Sequence, residues 1–468
     1  MRPRAPAARP CVRHLLMLVT GLALPTLAHA DVDLMAAWEA AQRHDPVLAA
    51  ARAELDAGAA RSRQGRALSL PTITVGGTVG YGALIQNTAG AQFTAPGLGT
   101  VNGADFRTDI GDGTASGWKI TAEQPLYNAE RRASARQLSL SADRAEVALK
   151  LARSDLMLRT ARAYFAVLLA DDALTETQRQ RAAAARALEV AQGIYDEGKL
   201  PVTDRDEAQA RHDAVVARES AAHDALALAQ ATFTDLTGLP ADALRRVVAS
   251  RGLRPFPAGH LEQWLGKTDR ASPEVALQAL TRDIAQQEID KWSAQAAPTL
   301  SLIAQAGGDR VSGSSAYGGT GIVSGSTSVI GVQLSIPLYT GGMRSARSDE
   351  AVALAEKARY DVEATRRAVA RDTRGAWLGA TGGMSRIPAY ERAIASARLR
   401  VDATEMGREV GARTTLDLLN AQADLFRAER ELAQAKVQVL LDRLALARAA
   451  GELTDEELRS VNADLGTP

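Results

Sequence analysis

The residues best suited to chemistry, by their type and their spacing, form a Gly–Asp–Gln pattern that occurs twice in the chain. The pattern has the same spacing in both halves and consists of Gly198, Asp204 and Gln209, and of Gly411, Asp417 and Gln422. In the second copy, Asp417 and Asn420 are three residues apart and therefore lie on one face of a helix. This spacing puts one carboxylate and one amide on a common face and indicates a functional polar surface; the alternative is a solvated helix face beside a leucine core.

No pattern in the chain indicates catalysis. A phosphate-binding P-loop, a nucleophile elbow and an HExxH metal motif are all missing from the sequence. His212 and His223 are eleven residues apart on one predicted helix face, but histidines on helix surfaces are far commoner than metal ligands. We therefore expect neither an enzyme nor a bound cofactor or metal.

Residues 1–30 have the pattern of a secretory signal peptide. Four arginines precede an apolar stretch at 15–27, which is followed by a small-x-small cleavage site at 28–30. The exported chain should begin near Asp31. The alternative is an uncleaved anchor, but no helical run of about 18 apolar residues supports it.

Composition limits the classes of partner. The only cysteine, Cys11, lies within the predicted signal, so the exported chain forms no disulfide. The full sequence has 55 basic and 55 acidic residues, and losing the signal arginines leaves a small acidic excess. This charge balance does not suggest nucleic acid as a partner.

The duplication extends beyond the Gly–Asp–Gln pattern and predicts two structural repeats. Pro46, Pro71 and Gly238 return as Pro273, Pro298 and Gly451. We expect repeat 1 at 31–240, a linker at 241–270, repeat 2 at 271–451, and a charged, partly disordered tail at 452–468.

Most of each repeat has a helix-forming composition. Residues 128–192 contain neither Pro nor Gly and predict a rod of about 100 Å. A matching run at 343–408 contains several glycines and Pro388, so we expect a bend there. Shorter helices are predicted at about 34–66, 205–235, 274–296 and 416–449.

Four segments alternate apolar and small or polar residues, which predicts strands. The predicted strands cover about 70–83, 114–125, 298–309 and 326–338, with surface loops at 84–113 and 310–325. Pro71 and Pro298 stand at strand starts, and Pro125 and Pro337 at strand ends, where proline suits a change between helix and strand.

The strands have the length and the two-faced pattern of membrane β-strands. Two soluble hairpins are the alternative. Four strands cannot close a barrel, and lipid does not tolerate open sheet edges. A membrane location therefore requires several copies of the chain.

The ordered set of motifs resembles the TolC-like family of outer-membrane channels. Segments 124–128 (QPLYN) and 335–342 (SIPLYTGG) are similar to the family's strand-to-helix elbows. Segments 197–204 and 410–422 are similar to its periplasmic turns, which predicts tip hairpins near 193–205 and 408–416. The DP pair at 45–46 and the SPE segment at 272–274 fit its repeat starts. The resemblance covers nearly the whole exported chain.

This resemblance implies a membrane α+β fold and a homotrimer in the outer membrane. Four strands per protomer would build a twelve-stranded β-barrel, and the helices would continue it as a periplasmic tunnel. The implied partners are a periplasmic adaptor protein, an inner-membrane ABC transporter or proton-driven pump, and outer-membrane lipid. Segments 451–458 and 410–422 are most similar to members that serve type I secretion, such as export of adenylate cyclase toxin (cyclolysin). Small-molecule efflux is the alternative function, and a periplasmic adaptor is a further one.

The resemblance also implies a gate at the periplasmic tip. Asp417 and Asn420 would point toward the tunnel axis, so that a trimer presents a ring of three carboxylates. Family members often carry a second acid where Asn420 stands, which predicts weaker block by cations here.

Closure of this gate would depend on links between hairpins. Arg413 matches a family arginine that holds the tip closed, with Asp204 of a neighbouring hairpin as its partner and Thr203 nearby. Arg408 stands where the family has a tyrosine, and Gly193 where it has a glutamine. Thr203 and Asp204, or Thr415, are also candidate helix caps; for Asp204 this structural role and the functional one remain open.

Overall fold

The computed structural model describes residues 32–97, 99–199, 201–242, 244–246, 253–254 and 259–465, so the predicted signal peptide lies outside the described residues. The first half contains two helices, two strands and two more helices, namely α1 (Leu34–His44), α2 (Pro46–Ala67), β1 (Thr72–Ala95), β2 (Gly99–Tyr127), α3 (Ala129–Asp196) and α4 (Val202–Thr237). The second half has the same order, namely α5 (Leu261–Ala271), α6 (Pro273–Ala294), β3 (Thr299–Ser315), β4 (Thr320–Ser335), α7 (Met343–Glu409) and α8 (Thr415–Ala449). A short helix follows, α9 (Asp455–Asn462).

The repeated prolines and glycines build matching corners in the two halves. Pro46 and Pro273 are the first residues of α2 and α6, where the missing N–H of proline has no helical partner to lose. Gly238 ends α4 in the left-handed region at φ 71°, and Gly451 follows α8 at φ 68°. A Cβ on Gly451 would lie 2.5 Å from the carbonyl oxygen of Ala271, at the corner between α5 and α6. Glycine is therefore required at this corner for both its conformation and its lack of a side chain.

The two long helices are nearly equal, with 68 residues in α3 and 67 in α7. The segment remains helical through Pro388, so neither the glycines nor the proline ends α7. Gly379 and Gly383 lie against Asp442 and Val439 of α8, and a Cβ at either glycine would collide with those side chains. These glycines therefore permit close helix packing and do not break the helix.

The four strands form one antiparallel sheet in the order β1–β2–β3–β4. Ile73, Ala122, Ala304 and Ile330 lie side by side across it, and Ile73 and Ile330 are 71% and 77% exposed. The next row, on the opposite face, includes Thr74, Thr121 and Gln305. The sheet thus has the separate apolar and polar faces that the alternation predicts. Within one protomer, β1 and β4 each pair on one side only.

The strands are longer than predicted, and the predicted loops at 84–113 and 310–325 are wrong. β1 and β2 continue to a turn near residue 97, and β3 and β4 to a turn at 316–319. Small polar residues satisfy the backbone ladder as well as larger ones, so the Gly- and Ser-rich composition did not end the strands. Beyond the pairing of Ile110 with Ser315, β1 and β2 form a two-stranded ribbon. Phe93 and Phe106 stack edge to face across it, with ring centroids 5.2 Å apart.

The elbow prolines lie at the junctions between strands and helices. Pro71 and Pro298 directly precede β1 and β3, and Pro337 follows β4. Pro125 lies inside β2, two residues before its end, where the register with β3 shifts. This irregularity accommodates a residue that cannot donate to the ladder.

The main core lies where α1, α3, α4, α8 and α9 meet. Trp38, Tyr164 and Phe233 are fully buried there, and so are Leu458 and Val461 of α9. Residues 455–465 of the tail are ordered, because apolar residues of the tail complete this core; residues 466–468 lie outside the described residues. Among the described residues, no helix combines the length and apolar character needed to cross a membrane.

Candidate functional site

Both hairpin tips turn through a glycine in the left-handed region. Gly198 follows α3 at φ 72°, and Gly411 follows α7 at φ 76°. After each glycine the chain closes on the preceding helix, with Lys199 N–H donating to the carbonyl of Ile194 and Arg413 N–H to that of Gly407. The shared glycine of the duplicated pattern is thus a helix stop in both halves.

Helix α8 begins with a reciprocal cap that involves Asp417. The hydroxyl of Thr414 accepts from the Asp417 N–H at 3.1 Å, and the Asp417 carboxylate accepts from the Thr414 N–H at 3.0 Å. Thr414, and not the predicted Thr415, is therefore the capping residue. The pKa of Asp417 is lowered, chiefly by the hydrogen bond from the Thr414 backbone N–H and to a smaller extent by the Thr414 side chain. Within one protomer Asp417 is thus an ionised group at a helix start.

Helix α4 begins differently. Its cap position is Pro201, which offers no side-chain bond, so the capping roles considered for Thr203 and Asp204 are not observed. Asp204 lies in the first helical turn and accepts from the Thr203 hydroxyl at 3.2 Å. Its exposed carboxylate remains available to a group outside the hairpin.

The two tip arginines have different surroundings. Gly407 makes room for the aliphatic stem of Arg413, because a Cβ there would lie 2.8 Å from Arg413 Cγ. Arg413 forms no ion pair with any described residue of its own chain, Asp204 included. Arg408 is partly buried, and its Nε has no hydrogen-bond partner among the described residues. Pairing of Arg413 with Asp204 would therefore need a neighbouring protomer.

The sequence did not predict the hydrogen bond that joins the two tip hairpins. A guanidinium nitrogen of Arg211, on α4, donates to the side-chain oxygen of Asn420, on α8, at 2.5 Å. The two residues are 209 positions apart, so no local pattern could have found the contact. A positive charge thus lies beside Asn420, one helical turn from Asp417.

Each hairpin is also joined internally by ion pairs between its helices. Arg181 on α3 pairs with Glu219 on α4 at 3.1 Å, and Arg398 on α7 pairs with Glu429 on α8 at 2.9 Å. Exposed pairs of this kind contribute about 1 kcal/mol or less each. A further ion pair joins the two hairpins, between Arg430 of α8 and Glu176 of α3 at 3.5 Å.

The described residues contain no cluster of three or more His, Cys, Asp and Glu side chains arranged for a metal. His212 lies beside Asp213 on α4, with 3.3 Å between Nδ1 and the carboxylate. The candidate site at the hairpin tips consists of charged and amide side chains in the first turns of α4 and α8 and in the turn before α8.

Comparison with known proteins gives matches over most of the chain. The family model described as outer membrane efflux protein matches residues 37–239 and 264–452. The chain is 28% identical to the outer membrane protein TolC of Vibrio cholerae over 456 residues, covering 97% of this chain and 99% of that protein. It is 27% identical to the alkaline protease secretion protein AprF of Pseudomonas aeruginosa, covering 92% of this chain and 87% of that protein.

The fold also matches a solved structure. The outer membrane protein VceC of Vibrio cholerae superposes with a TM-score of 0.68 at 18% identity, covering 89% of this chain and 96% of that one. At this identity the likeness concerns the fold. The four-stranded sheet and the long helical hairpins are therefore shared with an outer-membrane protein.

Proposed function

Because the chain belongs to the outer membrane efflux protein family, we propose that it forms the outer-membrane duct of a type I secretion system for a protein toxin. It is an outer-membrane channel with a periplasmic tunnel, and not an enzyme. Its fold is that of trimeric channels, in which three four-stranded sheets make one barrel. Channels of this family work with periplasmic adaptors and inner-membrane pumps.

The observation that carries the secretion proposal is the match to AprF, a protein named for protease secretion, over 92% of the chain. The similarity of segments 410–422 and 451–458 to type I secretion members adds to it and favours a cargo of the cyclolysin type. In this proposal the adaptor contacts the hairpin tips, and an ABC transporter delivers an unfolded protein into the tunnel. Small-molecule efflux driven by a proton pump is the second candidate, which the name of the family model favours.

Deleting the gene in its own host separates these two functions. Under the secretion proposal, one or a few proteins disappear from the culture medium, while inhibitory drug concentrations change less than about twofold. A complemented strain should restore the secreted proteins. Unchanged secretion together with sensitivity to several unrelated drugs would refute toxin secretion and support efflux.

We further propose that the tips form the gate. Three Asp417 carboxylates, brought together by trimer formation, would make a ring that binds cations and opposes the pKa-lowering effect of Thr414. Arg413 of one protomer would pair with Asp204 of the next and favour the closed state. The exposed carboxylate of Asp204, which accepts only from the Thr203 hydroxyl among the described residues, and the lack of an ion pair for Arg413 within the described part of its own chain support this pairing. Adaptor contact would then shift a closed–open equilibrium.

Arg413→Gln is expected to raise the conductance of the resting channel several-fold in planar bilayers, because it removes one charge from each link between protomers. Asp204→Asn should have the same effect, and the double variant should add little, since both changes break one interaction. Lys199→Gln is the matched control, because Lys199 is a tip cation that pairs with Glu197 of its own turn at 2.8 Å. Equal conductance in the Arg413 variant and this control would exclude the pairing as a gate contact.

A further inference from the structure

Three arginines converge on a pocket where the sheet meets the helices. Arg66 on α2 and Arg132 and Arg136 on α3 line a cavity of about 480 Å³, together with Pro125 and Leu126 at the end of β2. Arg132 and Arg136 are four residues apart and therefore share one face of α3. The pocket is open at the surface, and we refer to it as the elbow pocket.

These three arginines have no acidic partner among the described residues. A fourth arginine of the pocket, Arg131, is already engaged: its guanidinium lies 3.9 Å from the carboxylate of Glu123 and donates to the carbonyl of Leu68. Farther along α3, Arg159 and Arg181 each pair with a carboxylate. The elbow pocket is therefore a local concentration of uncompensated positive charge, which favours an anion.

The elbow pocket adjoins the apolar face of the sheet. The guanidinium of Arg132 lies over the ring of Tyr127, 4.5 Å from its centroid. Tyr127 pairs across the sheet with Leu300, which pairs with Leu334, so all three belong to the apolar face. Leu126 and Tyr127 are 53% and 43% exposed. In an outer-membrane channel the apolar face contacts lipid, and its end toward the helices lies at the depth of lipid headgroups.

The elbow pocket belongs to a single protomer. Helix α2 packs on α3, α3 on α6, and α6 on α7, so α2 and α7 are the outer members of this row. The seam between α2 and α3 is closely packed beside the pocket, where Gly65 lies against Ala135. In a trimer the outer members of the row would meet those of neighbouring protomers, and this seam would stay within one chain.

We propose that the elbow pocket binds the phosphate of an anionic phospholipid in the periplasmic leaflet of the outer membrane. Arginine suits this ligand because its planar guanidinium donates two parallel hydrogen bonds to phosphate oxygens. The acyl chains lie along Leu126 and Tyr127, which a soluble phosphate would leave uncovered. Basic pockets beside membrane-embedded segments bind anionic headgroups by the same combination of forces. The proposal rests on the outer-membrane location and not on the identity of the cargo.

Native mass spectrometry of delipidated trimers with added phosphatidylglycerol tests the proposal. The unmodified trimer should retain up to three phosphatidylglycerol molecules and should bind phosphatidylcholine much more weakly. Substituting Arg132→Gln and Arg136→Gln should each weaken phosphatidylglycerol binding about fivefold. Arg132→Lys, which keeps the charge, should weaken phosphatidylglycerol binding less than Arg132→Gln does.

Arg63→Gln is the matched control, because Arg63 is an exposed arginine of α2 that does not line the elbow pocket. The control should bind phosphatidylglycerol like the unmodified protein. Three results would overturn the proposal: equal binding of phosphatidylcholine, equal loss in the Arg63 variant, or displacement of the lipid by millimolar inorganic phosphate. The last result would assign the elbow pocket to a soluble anion.

Discussion

Asn420→Asp alone is expected to leave channel block by divalent cations nearly unchanged, whereas Asn420→Asp combined with Arg211→Gln should increase it about tenfold or more. The sequence alone predicts that the single substitution restores a second acidic ring and its cation block. The structure alters this expectation, because a guanidinium nitrogen of Arg211 lies 2.5 Å from the Asn420 oxygen. A carboxylate at position 420 would form an ion pair with Arg211 and present little net charge. Only removal of the arginine exposes the new carboxylates to cations, and a tenfold change in affinity corresponds to about 1.4 kcal/mol.

Single-channel recordings with divalent cations added on the periplasmic side measure this effect. Arg218→Gln combined with Asn420→Asp is the matched control, because Arg218 is an exposed arginine of the same helix whose guanidinium donates to the carbonyl of Ala214. The control should behave like Asn420→Asp alone. Strong block in the single variant would mean that Arg211 does not reach position 420 in the trimer. Unchanged block in the double variant with Arg211→Gln would refute the proposed ring.

Gly451→Ala should destabilise the folded channel by about 2–5 kcal/mol. Two costs combine: about 1–2 kcal/mol for an L residue in the left-handed region, and about 1–3 kcal/mol for an added carbon in a closely packed site. Both apply because Gly451 has φ 68° and its Cβ would lie 2.5 Å from the Ala271 carbonyl oxygen. That carbonyl belongs to the backbone and cannot rotate away like a side chain.

The midpoint of thermal unfolding of the trimer in detergent measures the loss. Gly198→Ala separates the two costs, because Gly198 has φ 72° but a Cβ added there would have no other atom within 4 Å among the described residues. This control should show only the conformational cost of about 1–2 kcal/mol. If both substitutions lowered the midpoint equally, the close approach of the new Cβ to the α5–α6 corner would add nothing to the cost of Gly451→Ala.

Local patterns were sufficient for the elements whose residues interact with near neighbours in sequence. The alternation at 72–81 specifies a strand with two faces, and the register that places Ile73 beside Ala122 keeps these faces separate. Likewise, a glycine after a long apolar-periodic run indicates a helix end, which Gly198 and Gly411 provide. These features follow from backbone geometry and need no knowledge of distant contacts.

Composition alone was misleading where packing or pairing decides the structure. The glycines of α7 lower its helix propensity when considered singly, yet the helix continues through them, and Gly379 and Gly383 provide space for side chains of α8. The polar stretch at 84–113 has the composition of a loop, but its backbone groups pair across the ribbon. The tail is rich in charged residues, but burial of Leu458 and Val461 keeps residues 455–462 helical.

The candidate site also has one part that the sequence predicts and one part that it does not. The Asp417–Asn420 face is visible in the sequence because the two residues are three positions apart. The Arg211–Asn420 bond and the elbow pocket each depend on residues from different helices, brought together only by the fold. A single sequence contains no signal for such contacts, so the charge beside Asn420 could not be predicted.

The unequal length of the two β-hairpins gives the channel an uneven outer rim. β1 and β2 have 24 and 29 residues, whereas β3 and β4 have 17 and 16, and about 10 suffice for a tilted strand to cross the membrane. In a trimer, three tall ribbons would alternate with three short turns around the exit. Antibodies and other large molecules outside the cell would meet the tall ribbons first, so an epitope inserted at their tips would label intact cells without disturbing the barrel wall.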